Sequence, residues 1–318
     1  MNPGAQFCVW PFRFRFIANE PVFFPPGKAG NVLRGAFGTI FRKLACVPEC
    51  RSAAECEISD ECAYASIFEP RRQIPGGPSG FSEWPRPFVF RALHLDGLKI
   101  DRGKEFHFDL VLFESPEKAL PYFVLSFRDL ARSGIGPWRG RALLRSVENL
   151  PGGEILYDGR RFQGEMPDGL HFDLDGNFSE KIGGLTIQFL SPTELKFRGE
   201  VVDRPEFAVL LCRLRDRISN LRGFYQGGPL DLDFEAFGRE TEKVRIVKSD
   251  LRRVENDRLS SRTGQRHPLS GFIGEIEYAG EISRFIPFLK AGEWTGVGRQ
   301  TVWGKGNFCI KPLTGRRD

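Results

Sequence analysis

The sequence predicts an α+β protein of two tandem domains, each ordered β-α-β-β-α-β around an antiparallel sheet. Three observations predict it. At 318 residues the chain is long enough to bury two cores. Runs with a hydrophobic period of two alternate with runs of period 3.6, and they do so in the same order in both halves. A turn-rich stretch at 151–182, with Pro151-Gly152-Gly153, Asp158-Gly159, Asp168-Gly169 and Asp175-Gly176, separates the halves.

The first domain is assigned to residues 1–150. Phe12-Arg13-Phe14-Arg15-Phe16 alternates like a half-buried strand. After a Pro/Gly loop, Leu33, Phe37, Ile40, Phe41 and Leu44 mark one face of a helix over 31–44. Gly35 and Gly38 weaken that helix and suit a backbone packed close to a neighbour. A cysteine-containing insertion occupies 46–62. Strands are expected at Phe88–Leu95 and Glu105–Phe113. Ser115, Pro116 and Glu117 then open a second helix, with Leu120, Phe123, Val124, Phe127 and Leu130 on its apolar face and Pro121 distorting it. A glycine-rich turn (Gly134, Gly136, Gly140) leads into a strand at Ala142–Val147.

Residues 151–182 read as a hairpin-rich bridge. The second domain, 183–318, repeats the plan. Strands are expected at Thr186–Leu190 and Leu195–Phe197. A helix follows with the stripe Phe207, Leu210, Leu211, Leu214, Ile218 and Leu221, ended by Gly223. Further strands are expected at Val244–Leu251 and Phe272–Tyr278. Ile282, Phe285, Ile286 and Leu289 make a short helix bent at Pro287, and Asn307–Ile310 closes the domain. The twice-repeated split βαβ order is the ferredoxin-like pattern, shared with RNA-recognition folds.

Composition narrows the function classes. With 41% hydrophobic and 27% charged residues the chain is globular, neither disordered nor membrane-spanning, and it has no signal-peptide core, so a cytoplasmic location is expected. The net charge is +5, and residues 183–318 hold 23 Lys/Arg against 18 Asp/Glu, which is the whole excess. That suits a polyanion partner without demanding one. The 30 Phe, against 5 Tyr and 5 Trp, read mainly as core filling.

The segment from Gly292 to Asn307 is the most informative. Its close-set glycines would let backbone N–H groups approach an anion, and Arg299 and Lys305 put charge in the same place. It lacks the Gly-Lys-Ser/Thr ending of a Walker loop, and a strand follows where a dinucleotide fingerprint needs a helix. An ordinary glycine-rich turn before an edge strand is the alternative.

Several motifs taken together resemble a known family. They are Arg258-Leu259-Ser260-Ser261-Arg262, Pro268-Leu269-Ser270-Gly271-Phe272-Ile273-Gly274, Tyr278-Ala279-Gly280, Gly296-Val297-Gly298-Arg299 and Trp303-Gly304-Lys305-Gly306. They are similar to the C-terminal domain of the CRISPR-associated repeat-RNA endoribonucleases, the sixth Cas protein family of the RAMP superfamily. Leu190-Ser191-Pro192-Thr193-Glu194-Leu195-Lys196 looks like the first strand of that domain. In the first domain, Leu33-Arg34-Gly35-Ala36-Phe37-Gly38 and Tyr64-Ala65-Ser66-Ile67-Phe68-Glu69-Pro70 resemble a variant of the family that carries a cysteine cluster.

The resemblance implies binding of CRISPR repeat RNA and cleavage of precursor CRISPR RNA into guide RNA, with other Cas proteins as further partners and no membrane. It implies a metal-independent reaction in which a 2′-hydroxyl attacks the adjacent phosphate, leaving a cyclic phosphate and a 5′-hydroxyl, so no catalytic metal is expected. Such chemistry needs a base, a proton donor for the leaving oxygen, and cations around the phosphorane. Many members place the base as a His near the first helix. Residues 31–44 hold none. Of His94, His107, His171 and His267, the last adjoins Arg262 and Arg266 and is the candidate base. RNA contacts are expected from Arg258, Arg262, Arg266, Gly296, Gly298, Arg299, Gly304, Lys305 and Gly306. The missing helix histidine keeps open a noncatalytic guide-RNA-binding subunit of an effector complex.

Cys46, Cys50, Cys56 and Cys62 are spaced C-x3-C-x5-C-x5-C, while Cys8, Cys212 and Cys309 stand apart. Four thiols this close favour a tetrahedral structural zinc over disulfides, with four free cysteines as the alternative.

Overall fold

The computed structural model describes residues 3–47, 49–50, 55–70, 84–176, 181–255, 257–259 and 266–312. The chain divides into two compact units, Val9–Leu170 and His171–Asp318, the second including Met1–Cys8. The turn-rich stretch at 151–182 is therefore shared between them.

In the first unit the elements run β1 (Gln6–Ala18), β2 (Val22–Phe23), α1 (Ala29–Ala45), α2 (Ala63–Ile67), β3 (Phe88–Arg91), β4 (Lys99–Ile100), β5 (Glu105–Leu112), α3 (Pro116–Ser133), β6 (Ala142–Asn149) and β7 (Ile155–Tyr157). The main sheet has the order β3-β5-β1-β6-β7, antiparallel throughout. Alternation along β1 sets its two faces. Phe12, Phe14 and Phe16 are fully buried, and the last two stack on Phe108 and Phe106 of β5, each with centroids 5.1 Å apart. On the other face Arg13 pairs with Asp109 and Arg15 with Glu148, both at 2.7 Å. α1 and α3 cover the phenylalanine face, where Phe37 lies parallel to Phe123 at 4.2 Å.

Several boundaries differ from expectation for local reasons. Leu44, expected on the buried face of α1, is 45% exposed and lines a surface pocket together with Tyr122 of α3. The strand expected at Phe88–Leu95 stops at Arg91, and His94 lies in a 3-10 turn over Leu93–Leu95. α3 continues through Pro121, and Ser115 Oγ bonds the Glu117 carboxylate in place of a helix N–H.

The second unit adds β8 (Leu170–Asp173), then β9 (Gly184–Thr193), β10 (Leu195–Phe197), β11 (Glu200–Val202), α4 (Phe207–Tyr225), α5 (Phe234–Thr241), β12 (Arg245–Val254), β13 (Asp257–Leu259), β14 (Arg266–Pro268), β15 (Gly271–Ala279), α6 (Ile286–Thr295) and β16 (Phe308–Pro312). Its four-stranded sheet has the order β12-β15-β9-β16. Both units thus place the first and third strands of the repeat side by side at the centre, and the protein is an α+β tandem ferredoxin-like fold.

All six apolar stripe residues of α4 are fully buried. The helix runs two residues past Gly223, because Arg222 there is held from both sides: its guanidinium bonds the carbonyls of Gln6 and Pro229, each at 2.7 Å. Pro287 starts α6 rather than bending it, since a proline in the first turn loses no helical hydrogen bond. α5 has no counterpart in the sequence reading. Its eight residues carry Asp233 as an N-cap, whose carboxylate accepts from Ala236 N–H at 2.9 Å.

Candidate nucleic-acid interface and cysteine cluster

The glycine-rich segment of the second unit is a turn folded tightly on itself. Residues 292–295 complete α6, and Gly292 sits there because a Cβ would lie 2.7 Å from the side chains of Leu214 and Phe308. Beyond it the chain crosses the β9–β10 corner. Val297 N–H donates to Gly306 O at 3.0 Å, Gly306 N–H to Pro192 O at 3.1 Å, and Asn307 N–H to Ser191 Oγ at 2.9 Å. Gly298 (φ 81°) and Gly306 (φ 71°) adopt left-handed backbone, and a Cβ on either would collide with a carbonyl, that of Glu194 or of Val297. Many of the N–H groups that could have cradled an anion are therefore spent inside the protein.

What the segment presents instead is Arg299. Its backbone N–H donates to Glu194 O at 3.1 Å, and its Nη1 donates to Glu194 Oε1 at 2.8 Å. The arginine side chain stays 58% exposed while the glutamate keeps 10%. Lys305, expected beside it on the RNA, is 4% exposed and belongs to the interior of the turn. Gly296 and Gly304 flank the segment with φ of 66° and 75°.

Arg217 on α4 fixes the start of the turn. Its Nε and Nη2 donate to the Thr295 carbonyl at 3.1 and 2.9 Å, capping the negative end of α6. The residue keeps some surface, but its guanidinium is enclosed, and that burial pulls the pKa down to about 10. Neither Glu194 nor Arg217 carried a local signal, since their partners lie 105 and 78 residues away.

The basic stretch forms a second feature. β12 and β15 pair antiparallel over Arg245–Val254 and Gly271–Ala279, and β13 and β14 pair in turn. In that hairpin Arg258 stands opposite His267, and Leu259 opposite Arg266. Arg262 lies outside the described residues. Of the other histidines, His94 and His107 stack with centroids 4.5 Å apart, and His94 Nε2 contacts the His107 carbonyl at 2.9 Å. His171 lies 3.8 Å from Cys8 Sγ.

In the first unit, Cys46, Cys50, Cys56 and Cys62 line one pocket of about 330 Å³ together with Glu61 and Tyr122. Cys46 is the C-cap of α1 and Cys62 the N-cap of α2, so two helices bring the ends of the insertion together. Arg42 Nη2 ties the loop down at the Cys50 carbonyl, 2.7 Å away. Cys46 interacts with both Cys50 and Cys62, and Cys50 also with Cys56. Burial, reinforced by those neighbouring thiols, pushes the Cys46 thiol up to about 12. Among the described residues no group of three or more His, Cys, Asp or Glu is placed so that it could hold a metal ion.

No helix among the described residues is long and apolar enough to cross a membrane. Residues 187–308 match the family model of CRISPR-associated endoribonuclease Cas6, and residues 7–167 match a model described as an N-terminal domain. An uncharacterised protein of Archaeoglobus fulgidus is 25% identical over 294 residues, 92% of this chain and 94% of its own length. Among solved structures, Thermus thermophilus Cas6 is similar at 14% identity and a TM-score of 0.54, with 96% of this chain and 99% of that one covered. A Cas6 product complex is similar at 13% identity and 0.55, over the same shares. A Cas6-RT-Cas1–Cas2 complex reaches 0.58 at 12% identity, covering 97% of this chain and 29% of that one. These likenesses are in fold. The match to the family of CRISPR-associated endoribonuclease Cas6 thus covers the part of the chain that carries the glycine segment and the basic hairpin.

Proposed function

We propose that this protein binds CRISPR repeat RNA and cuts precursor CRISPR RNA into guide units. The observation that carries the reading is the Cas6 domain over 187–308, which contains both Arg299 on its rigid turn and the Arg258–His267 hairpin. The Cas6 product complex and the Cas6-RT-Cas1–Cas2 complex support RNA and other Cas proteins as partners.

The proposed step is a transesterification without metal. A base takes the proton of the 2′-hydroxyl, whose oxygen attacks the adjacent phosphorus. The bond to the 5′-oxygen breaks, and that oxygen takes up a proton, giving a cyclic phosphate and a 5′-hydroxyl. His267 is the proposed base, and Arg258, Arg262, Arg266 and Arg299 are the proposed cations around the phosphate. α1 holds no histidine, and this favours the second reading, a noncatalytic guide-RNA holder.

The test is incubation of the purified protein with its host's labelled repeat RNA in EDTA, followed by end-group analysis. One cut leaving a cyclic phosphate, lost in His267→Ala, supports the nuclease reading with His267 as base. Tight binding without cleavage moves the assignment to the RNA holder, and absence of binding to that RNA overturns both.

We also propose that Cys46, Cys50, Cys56 and Cys62 hold a structural zinc ion. The donor chemistry fits, since thiolates suit zinc and all four cysteines line one pocket. Four protein ligands would leave no open position, so its contribution would be to close the insertion between α1 and α2.

A further inference from the structure

The glycine-rich turn between α3 and β6 displays an aromatic side chain that the proposed reaction does not use. α3 ends at Gly134, and the chain doubles back so that Ile135 bridges Gly140. Arg139 N–H donates to Gly136 O at 3.1 Å, and Arg139 itself has φ 51°, uncommon for a non-glycine residue. The turn lies hard against the segment at Pro21–Phe23. A Cβ on Gly136 would strike the Phe23 carbonyl, and one on Gly140 the Pro21 carbonyl. Glycine at both positions lets the turn seat with its tip supported from behind.

At that tip Trp138 stacks on Phe23, with centroids 4.9 Å apart and planes 26° from parallel. Packing alone would favour covering the indole, yet 52% of Trp138 remains exposed. Cations flank the pair. Arg139 follows the tryptophan and makes no ion pair among the described residues. Lys99 stands opposite Phe23 in the β2–β4 ribbon, and its ion pair among the described residues is an exposed one to Asp101 at 3.1 Å.

An aromatic surface held out on a supported turn, with positive charge beside it, matches what an unpaired nucleotide requires: a ring for the base and cations for the phosphates. We propose that Trp138, backed by Phe23, is a stacking platform for an unpaired nucleobase, with Arg139 and Lys99 meeting the adjoining phosphates. This rests on the RNA-binding reading and adds to it a point of contact in the first unit, outside the Cas6 domain.

The test compares a short labelled oligoadenylate with an abasic ribose-phosphate strand of the same length, alongside the host's repeat RNA. The wild-type protein should prefer oligoadenylate over the abasic strand. Trp138→Ala should weaken oligoadenylate binding roughly tenfold and leave the abasic strand unaffected, while Trp138→Phe should retain most of the preference. Matching unfolding temperatures of wild type and both variants exclude a loss of fold as the cause. Equal wild-type binding of the two strands, no oligoadenylate binding beside intact repeat-RNA binding, or a preference surviving in Trp138→Ala would overturn the platform while leaving the RNA reading in place. Failure to bind repeat RNA at all would instead remove the RNA reading on which it rests.

Discussion

Arg299 is bound to Glu194 through both its backbone and its side chain, and the two contacts fix an exposed cation at the rim of a rigid turn. Residues 305 and 299, six apart in one glycine-rich run, consequently have different roles, one buried and one exposed. Arg299→Ala should weaken RNA binding and reduce the slope of log K against log salt by about one charge. Lys305→Ala should act first on stability, by roughly 1–3 kcal/mol, with a smaller change in slope. Salt titrations of RNA binding and urea unfolding on each single variant check this, and the reverse ranking would contradict the assignment.

The two glycines of α1 separate cleanly. A Cβ on Gly35 meets nothing within 4 Å, whereas one on Gly38 would collide with the Phe68 ring. Gly35→Ala should therefore stabilise the first unit by up to about 1 kcal/mol through helix propensity. Gly38→Ala should destabilise it, because Phe68 and the aromatic cluster around Phe37 must shift. Chemical denaturation of the two variants checks the opposite signs.

Two titrating groups in the first unit should give stability–pH slopes of opposite sign. Burial, then Arg13 and His94, hold His107 below the ordinary histidine range. Its unfolded form takes a proton first, so its contribution is present above about pH 6.5 and lost as pH falls toward its folded pKa. Burial raises Glu114 to about 7, and its Oε1 finds no donor among the described residues. Here the folded state keeps the proton longer, so the contribution is present below about pH 4.5 and lost as pH rises to about 7. His107→Gln should flatten the acid side of the profile. Glu114→Gln should raise stability at pH 8 by roughly 1–3 kcal/mol. Thermal unfolding between pH 4.5 and 8 resolves both.

The cysteine cluster makes its own prediction. Purified protein should carry one zinc per chain, measured by elemental analysis. Cys46→Ser should lose the metal and lower the unfolding temperature, and chelation should do the same to the wild type but not to the variant. Metal-free protein with an unfolding temperature indifferent to added zinc would leave four free thiols.

The alternation Phe12–Phe16, the α4 stripe and the alternation around Ile276 and Tyr278 made both domains legible, because each pattern is decided by residues close in sequence. Long-range competition produced the departures. Gly223 fails to stop α4 because Arg222 is anchored at Gln6 and Pro229, and α5 appears where the sequence read as a loop. The motifs at 258–306 were readable from the sequence, within the span that matches the Cas6 model. Their geometry was not.

By itself the sequence determined the fold class, the likeness to a family and the residue types on offer, since hydrophobic period, turn chemistry and motif spacing are local. Only the tertiary structure decided that Arg299 faces out while Lys305 faces in, that Glu194 and Arg217 hold the turn, and that Trp138 stands exposed on Phe23. Those outcomes depend on which distant backbone lies within a Cβ's reach, and steric exclusion of that kind is a property of packing.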